Sequence, residues 1–318
     1  MPRLNASELF SRNLELKTRL EMYKIVTKMG EIVPFQLSQI QEKVALLSGH
    51  DFILKPKQAW VTTAVLAVMA EAMRTKPHFI AYSIAHSLEI QGVLHDRFVQ
   101  LVESLPSELG PTIVKNREDL VKFSNGSIFQ IVTIGGKPPA QGTPINFLHL
   151  TEAWAYDKDN PTQDVQVFYN FVRAAVVKNG RIVIETTPGP ANSFAHDLYK
   201  KCKAGGYMKA HFFEWFWHPE YTKPRKDREW PTYDELMVDP LTEREQALIR
   251  KGVDHEQIAW ARKEIEENLF GLPGFLMTYP EDDSACWFNP SGSYFNAALL
   301  ADWLRKDEFP PPIGRFSH

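Results

Sequence analysis

Cysteine is nearly missing. Cys202 and Cys286, widely separated, are the only two in 318 residues, which excludes a disulfide scaffold and points to a reducing compartment. There is no CxxC pair and no histidine cluster, so nothing reads as a zinc site. No apolar run approaches the ~20 residues of a membrane span. The N-terminus, MPRLNASELFSRNLELKTRLEMYK, intersperses charges with apolar residues and so is no signal peptide. An excess of charge of one sign is also missing. The formal net charge of −3 gives no global signature of a nucleic-acid partner, so any such contact must be local. Internal repeats and low-complexity segments are absent too. What remains is the composition of an ordinary globular protein: 44% apolar, 24% charged and 12% aromatic. The length allows a sizeable core, as one large α/β domain or two smaller ones.

The periodicities alternate between strand and helix. Residues 7–29 and 36–48 predict helices, the first amphipathic. Phe52–Leu54 predicts a buried strand followed by a helix over Thr62–Arg74, and HFIAYSIA (78–85) a second strand followed by a helix over Leu88–Leu105. LVKFSNGSIFQIVTI (120–134) reads as a hairpin turning at Asn125-Gly126. INFLHL (145–150) and GRIVIETT (180–187) have the β-branched apolar character of buried parallel strands, with a helix over roughly 164–178 between them. This order argues for a mostly parallel sheet with helices on both faces. From Trp230 onward the chain turns helical and charged, with LTEREQALIRKG and HEQIAWARKEIEENL as two helices, and EFPPPIGRFSH reads as a linker or tail.

Three stretches carry possible chemistry. FILKPKQAWVTTAVLAVM, Phe52 to Met69, has the strand–loop–helix order of a phosphate-cradling loop, but Trp60 stands where a glycine is wanted and Val61 where a lysine is wanted. INFLHLTEAWAY ends an apolar strand in Thr151 and Glu152, at the sheet edge where open α/β folds bind ligands. A carboxylate there, beside a phosphate loop, polarises a water for attack on the terminal phosphate of ATP. Alone, the pair also reads as a solvated helix cap. RIVIETTPGPANSF ends another strand in Thr186 and Thr187, whose hydroxyls suit sensing a terminal phosphate, or simply precede a Pro-Gly turn. The aromatic run HFFEWFWHPEY (211–221) reads as core rather than as a base-stacking platform.

Loop, acidic strand end and hydroxyl strand end occur in one order, each on its own strand. On these residues the chain resembles the ATPase part of the large terminase subunit of tailed bacteriophages, the motor that packages DNA into the capsid. The resemblance covers about residues 33–296. PFQLSQIQ looks like the segment ahead of the phosphate loop, with Gln41 matching a glutamine that reads adenine. LKPKQAWVTT looks like the variant phosphate loop. Lys57 falls at its arginine, Gln58 at its glutamine, Trp60 at its glycine and Thr62 at its magnesium-side hydroxyl. Lys55, Ala59, Val61 and Thr63 complete the implied nucleotide-binding set. NFLHLTEAWAY resembles the Walker B strand, with Glu152 in the place of the catalytic glutamate and Thr151, on the metal side, where an acid or serine stands. IETTPG resembles the coupling motif, giving Thr186 and Thr187.

The resemblance implies an ASCE-type P-loop NTPase fold with a small helical C-terminal subdomain. The division is a helical segment at 1–50, an ATPase core at 51–214, helices at 215–300 and a linker or tail at 301–318. It implies ATP and Mg²⁺ as ligand and cofactor, with double-stranded DNA, a portal protein and a small terminase subunit as partners. It implies a homo-oligomeric ring on the portal, a monomer in isolation, no membrane, and the host-cell cytoplasm during virion assembly. A ribonuclease-H-like nuclease would follow about residue 310; too few residues remain for one, so the chain is expected not to cut DNA. The chain departs from the pattern at the phosphate site. Trp60 is expected to resist φ > 0 and to crowd the phosphate with its indole. Lys57 lacks the planar fork of arginine. In GKPPAQGTP, Gln141 stands where an arginine completes a neighbouring subunit's site, with Lys137 as a substitute donor. A finger arginine contributes roughly 10³–10⁵ in rate. The alternative is a weakly hydrolysing or non-hydrolysing docking module of the same fold.

Overall fold

The computed structural model describes residues 16–27, 30–136, 142–158 and 160–288. In chain order its strands are β1 (Lys24–Val26), β2 (Ile32–Pro34), β3 (Asp51–Leu54), β4 (Ile80–Ala85), β5 (Ile113–Arg117), β6 (Leu120–Phe123), β7 (Ile128–Thr133), β8 (Ile145–Thr151), β9 (Val176–Thr186) and β10 (Lys209–Phe212). β1 and β2 pair antiparallel, and the other eight form one sheet in the order β10-β3-β9-β8-β4-β7-β6-β5. From β10 to β7 all neighbours run parallel, while β6 and β5 form an antiparallel edge. The helices are α1 (Gln39–Leu46), α2 (Val61–Thr75), α3 (Leu88–Glu103), α4 (Thr162–Ala174), α5 (Phe194–Lys203), α6 (Tyr233–Leu236), α7 (Glu243–Arg250), α8 (His255–Glu267) and α9 (Gly271–Thr278).

The two-residue period of a strand sorts side chains into two apolar layers. Ile53, Ala81 and Phe147 join one cluster with Val44 of α1, Leu66 of α2 and Phe98 of α3. Phe52, Leu54, Tyr82 and Leu148 join the other with Val165 of α4 and Leu198 of α5. Helices therefore cover both faces, which is why the central strands tolerate so few polar residues. α2 is buried almost all round, through Val61, Ala64, Leu66, Met69 and Met73. Truncating Leu66 to alanine there costs about 2–5 kcal/mol by the usual cavity argument.

A third cluster gathers Trp215, Tyr221, Leu248, Ile258 and Phe275. Tyr221 and Trp260 stack with centroids 4.5 Å apart at 10°, so the aromatic run is core, as its sequence suggested. Capping boxes at Thr242/Glu245 and Asp254/Gln257 start α7 and α8. Cys202 and Cys286 are both buried free thiols. Among the described residues no helix is long and apolar enough to cross a membrane.

The expected hairpin forms as read, with Gly126 at φ +84° in its turn. The N-terminal helix over 7–29 needs correction. Residues 16–20 are helical, but Lys24–Val26 is a strand paired with Ile32–Pro34, because the β-branched Ile25 and Val26 meet Val33 and Ile32 across a turn carrying Gly30 at φ +80°. Residues 7–15 of that helix lie outside the described residues, as do 301–318. The helix expected to end near 178 stops at Ala174, and β9 begins at Val176.

Candidate functional site

β3 delivers the chain to Lys55 and α2 departs at Val61. The loop between them turns through two left-handed residues that are not glycine, Gln58 and Trp60, each at φ +57°. The expectation that Trp60 would resist φ > 0 is therefore overturned. Such a conformation costs roughly 1–2 kcal/mol for an L-residue and persists only where its surroundings fix it. Here Ala59 and Val61 are buried on either side, and Gln41 Nε2 donates to the Trp60 carbonyl at 3.1 Å. Further along the loop, the Lys57 N–H donates to the Thr278 carbonyl at 3.0 Å and the Tyr221 hydroxyl donates to the Lys57 carbonyl. Glu152 is a third left-handed non-glycine residue, at φ +48°. Three of the five such residues in the described chain thus converge on one place.

No side chain caps the N-terminus of α2. Its first-turn N–H groups lack intrahelical acceptors and present the positive end of the helix dipole. Lys55, Gln58, Trp60, Thr62, Thr63 and Glu152 line a cavity of about 410 Å³ beside that end, a volume suited to a small-molecule ligand. Lys24 and Arg97 also line it and add two cations that the sequence reading missed.

Beneath the cavity lies a buried charge network. Lys55 Nζ sits 2.6 Å from Glu152 Oε1 and 3.1 Å from Glu185 Oε2. The hydroxyls of Thr62 and Thr151 both donate to Glu185 Oε1, at 2.6 and 2.5 Å. His149 Nε2 lies 3.7 Å from the same oxygen, too far for a hydrogen bond, while its Nδ1 pairs with Ser83 Oγ at 3.0 Å. Burial alone would raise the pKa of Glu185, but Lys55, then His149 and Thr151, hold it well below the usual carboxylate range. Burial likewise works against a charged Lys55, yet Glu152 and Glu185 keep it above its ordinary value. Each partner thus favours the charged form of the other.

The strand-end hydroxyls join the same network. Thr187 donates to Glu152 Oε2 from both its N–H and its Oγ1, each at 3.2 Å. Thr186 Oγ1 accepts from the Trp154 N–H at 3.0 Å and donates to the Thr187 carbonyl. Gly189 is required here, since a Cβ would sit 2.5 Å from the Trp154 Cβ. Glu152 and the Thr186–Thr187 pair are therefore one physical unit.

Other sequence candidates lie elsewhere. Gln41 is buried, its amide oxygen accepting from the Ser38 N–H in the α1 capping box and its nitrogen serving Trp60, so it does not line the cavity. Lys57 is exposed and its backbone N–H is spent on Thr278. Thr151 stands behind the cavity, buried against Glu185. Lys137 and Gln141 lie outside the described residues. Glu185 is the residue that sequence reasoning passed over, although a lone acid inside the apolar run RIVIETT was its signal, since a buried charge requires a partner.

A hard cation fits this donor set. Two threonine hydroxyls and two carboxylates are all oxygen ligands, and Glu185 Oε2 is buried with no hydrogen bond among the described residues beyond its ion pair with Lys55. Among the described residues no group of three or more His, Cys, Asp and Glu converges there, so a metal would need phosphate oxygens to complete its shell.

No family model and no curated protein matches this sequence. In structure the chain is similar to the large terminase ATPase domain of Thermus phage P74-26, at 11% identity and a TM-score of 0.50, covering 77% of this chain and 93% of that one. It is also similar to the large terminase of bacteriophage HK97, at 15% identity and a TM-score of 0.54, covering 81% of this chain and 52% of that one. It thus corresponds to about half the length of the HK97 protein. At such identities the likeness speaks to architecture: the chain has the fold of the ATPase domains of these large terminases.

Proposed function

We propose that this chain is the ATPase module of a viral DNA-packaging motor, hydrolysing ATP in the cavity at the N-terminus of α2. The observation that carries the reading is the glycine-like backbone at Gln58 and Trp60, held open toward Lys55, Thr62 and Glu152 although neither residue is glycine. Strain of this kind is kept where a ligand needs the geometry.

In this reading the α2 first-turn amides and Lys55 receive the phosphates. An incoming phosphate competes with Glu152 for Lys55 and leaves the carboxylate to orient the attacking water. Thr62 and Thr151 stand on the metal side, where bound Mg²⁺ supplies charge neutralisation of the phosphate oxygens. Thr187, sharing Glu152 Oε2, senses whether the carboxylate has moved. An adenine contact for Gln41 would require its amide to leave Ser38 or Trp60, so we assign Gln41 to holding the loop.

The division into a 1–50 segment, a 51–214 core, a 215–300 helical subdomain and a 301–318 tail belongs to this proposal. So do double-stranded DNA, portal and small terminase subunit as partners, a ring on the portal, and Lys137 or Gln141 reaching a neighbour's site in the host cytoplasm. Measuring ADP and ATP affinity with and without Mg²⁺, together with turnover across a protein concentration series, tests the reading. Nucleotide binding with turnover that rises with concentration or added portal supports it. Binding without turnover under any condition favours a docking module, and no binding at all refutes it.

A further inference from the structure

We propose that Glu185 supplies the metal-side carboxylate of this site, from a strand adjacent to the one expected to carry it. The inference rests on the nucleotide reading above. Thr151, at the end of β8, has a hydroxyl but no negative charge to offer a cation. Its register partner across the β8–β9 ladder is Glu185, so the two side chains emerge side by side on one face of the sheet. A carboxylate placed on β9 therefore occupies nearly the space that one on β8 would.

The contacts follow that substitution. The Thr62 hydroxyl, in the first turn of α2, donates to Glu185 Oε1 at 2.6 Å, and the Thr151 hydroxyl donates to the same oxygen at 2.5 Å. Both hydroxyls on the metal side of the loop are thus aimed by one acid. Its second oxygen, Oε2, is fully buried and, among the described residues, has no hydrogen bond beyond its ion pair with Lys55 Nζ at 3.1 Å. A lysine partner alone does not require the acid to sit under Thr62. An acid that orients the hydroxyl ligand and holds metal-bound waters does, because ligand-orienting carboxylates work through such second contacts. Were phosphate to draw Lys55 away, Glu185 Oε2 would be left as a free carboxylate oxygen beside Thr62, and Glu185 with Thr62 would be the residues that hold the cation.

The test is the Mg²⁺-dependent part of ADP affinity, measured by calorimetry on the full chain with Mg²⁺ and with EDTA. Wild type is expected to bind ADP more tightly with Mg²⁺. The gain is read as the ratio of each protein's own affinities with Mg²⁺ and in EDTA, and Glu185→Gln is expected to lower that ratio by at least about tenfold, whatever its affinity in EDTA becomes once Lys55 loses this counter-ion. Adding Thr151→Asp to Glu185→Gln returns the carboxylate to β8 and is expected to restore the gain. If Glu185→Gln does not fold, Glu185→Asp keeps the charge beside Lys55 but withdraws it from Thr62, and the same loss is expected. A folded Glu185 variant that retains the full Mg²⁺ gain overturns the proposal, as does failure of Thr151→Asp to restore it. A wild type that binds no nucleotide brings down the reading underneath, a result distinct from a loss confined to the variants.

Discussion

Lys55 and Glu152 meet at 2.6 Å, the first at the end of β3 and the second just past the end of β8, with β9 between the two strands. Glu152 also receives Thr187 from β9's exit, so one carboxylate is gripped from two sides before any ligand enters. That grip sets the first prediction. Glu152→Gln keeps the shape and the hydrogen-bonding atoms but removes the base. Turnover should fall by at least about 100-fold, the lower end of general-base effects, while ADP binding persists. Equal turnover in the variant and wild type would remove Glu152 from the water-orienting role.

Trp60 gives a second. Its φ of +57° costs roughly 1–2 kcal/mol that glycine does not pay, offset by the freedom glycine adds to the unfolded chain and by the lost indole contacts. Trp60→Gly should therefore leave stability within about 1 kcal/mol, far from the 3–5 kcal/mol of a buried tryptophan truncation. Nucleotide affinity should rise, because the indole lines the cavity. Chemical denaturation and ADP titration of the same sample read both quantities. A large stability loss together with weaker binding would show the indole to be a structural wedge.

Tyr221 gives a third. Its ring stacks on Trp260 and its hydroxyl reaches the Lys57 carbonyl, so Tyr221→Phe removes only the tie between the aromatic cluster and the loop. The expected stability cost is about 1 kcal/mol. Turnover per bound nucleotide should drop, since the loop loses one of its anchors. Unchanged turnover would mean that the anchor at Thr278 suffices.

Glu245 gives a pH prediction. It accepts from Arg262 Nε and Nη2 at 2.7 and 2.8 Å and closes the α7 capping box. Burial works to raise its pKa, but Arg262 and the Thr242 cap carry it below the usual carboxylate value. With the folded value below the unfolded one, its contribution is complete above the unfolded pKa and fades as pH falls through the folded value. Glu245→Gln should cost about 1–2 kcal/mol at neutral pH, and the gap between variant and wild type should close as pH falls below the usual carboxylate range. A gap that stays constant with pH would assign the loss to packing alone.

Much of the sheet was legible because its signals are local. The two-residue alternation of Phe52, Ile53 and Leu54 survives in the structure as two opposite layers, and Asn125-Gly126 turns as its local signal predicts, with the Asn125 side chain also donating to the Met73 carbonyl at 2.8 Å. β10 escaped notice since KAHF is a four-residue edge strand with Lys209 and His211 in it, and only pairing with β3 makes it a strand. Trp60 was misjudged for a related reason. Side-chain preference argues against φ > 0, and the forces that override it come from Gln41 and from the buried residues flanking it. Glu152 could be picked out from its strand end. Glu185 could not be given a role without knowing that β9 lies between β3 and β8, where it meets Lys55, Thr62 and Thr151 at once.

β3 is the first strand of the large sheet in sequence, yet its two ladder partners are the last two, β9 and β10. During synthesis β3 emerges first and its partners last. The block from β4 to β7 is able to pair while synthesis continues, but Asp51–Leu54 waits for residues 176–212. The loop from Lys55 to Trp60 therefore matures late, through contacts of long sequence separation, which makes its formation slow relative to the hairpin beside it. A nascent or proteolysed chain that stops short of Lys209 leaves one side of β3 as an open row of N–H and C=O groups, ready to accept a strand from another copy.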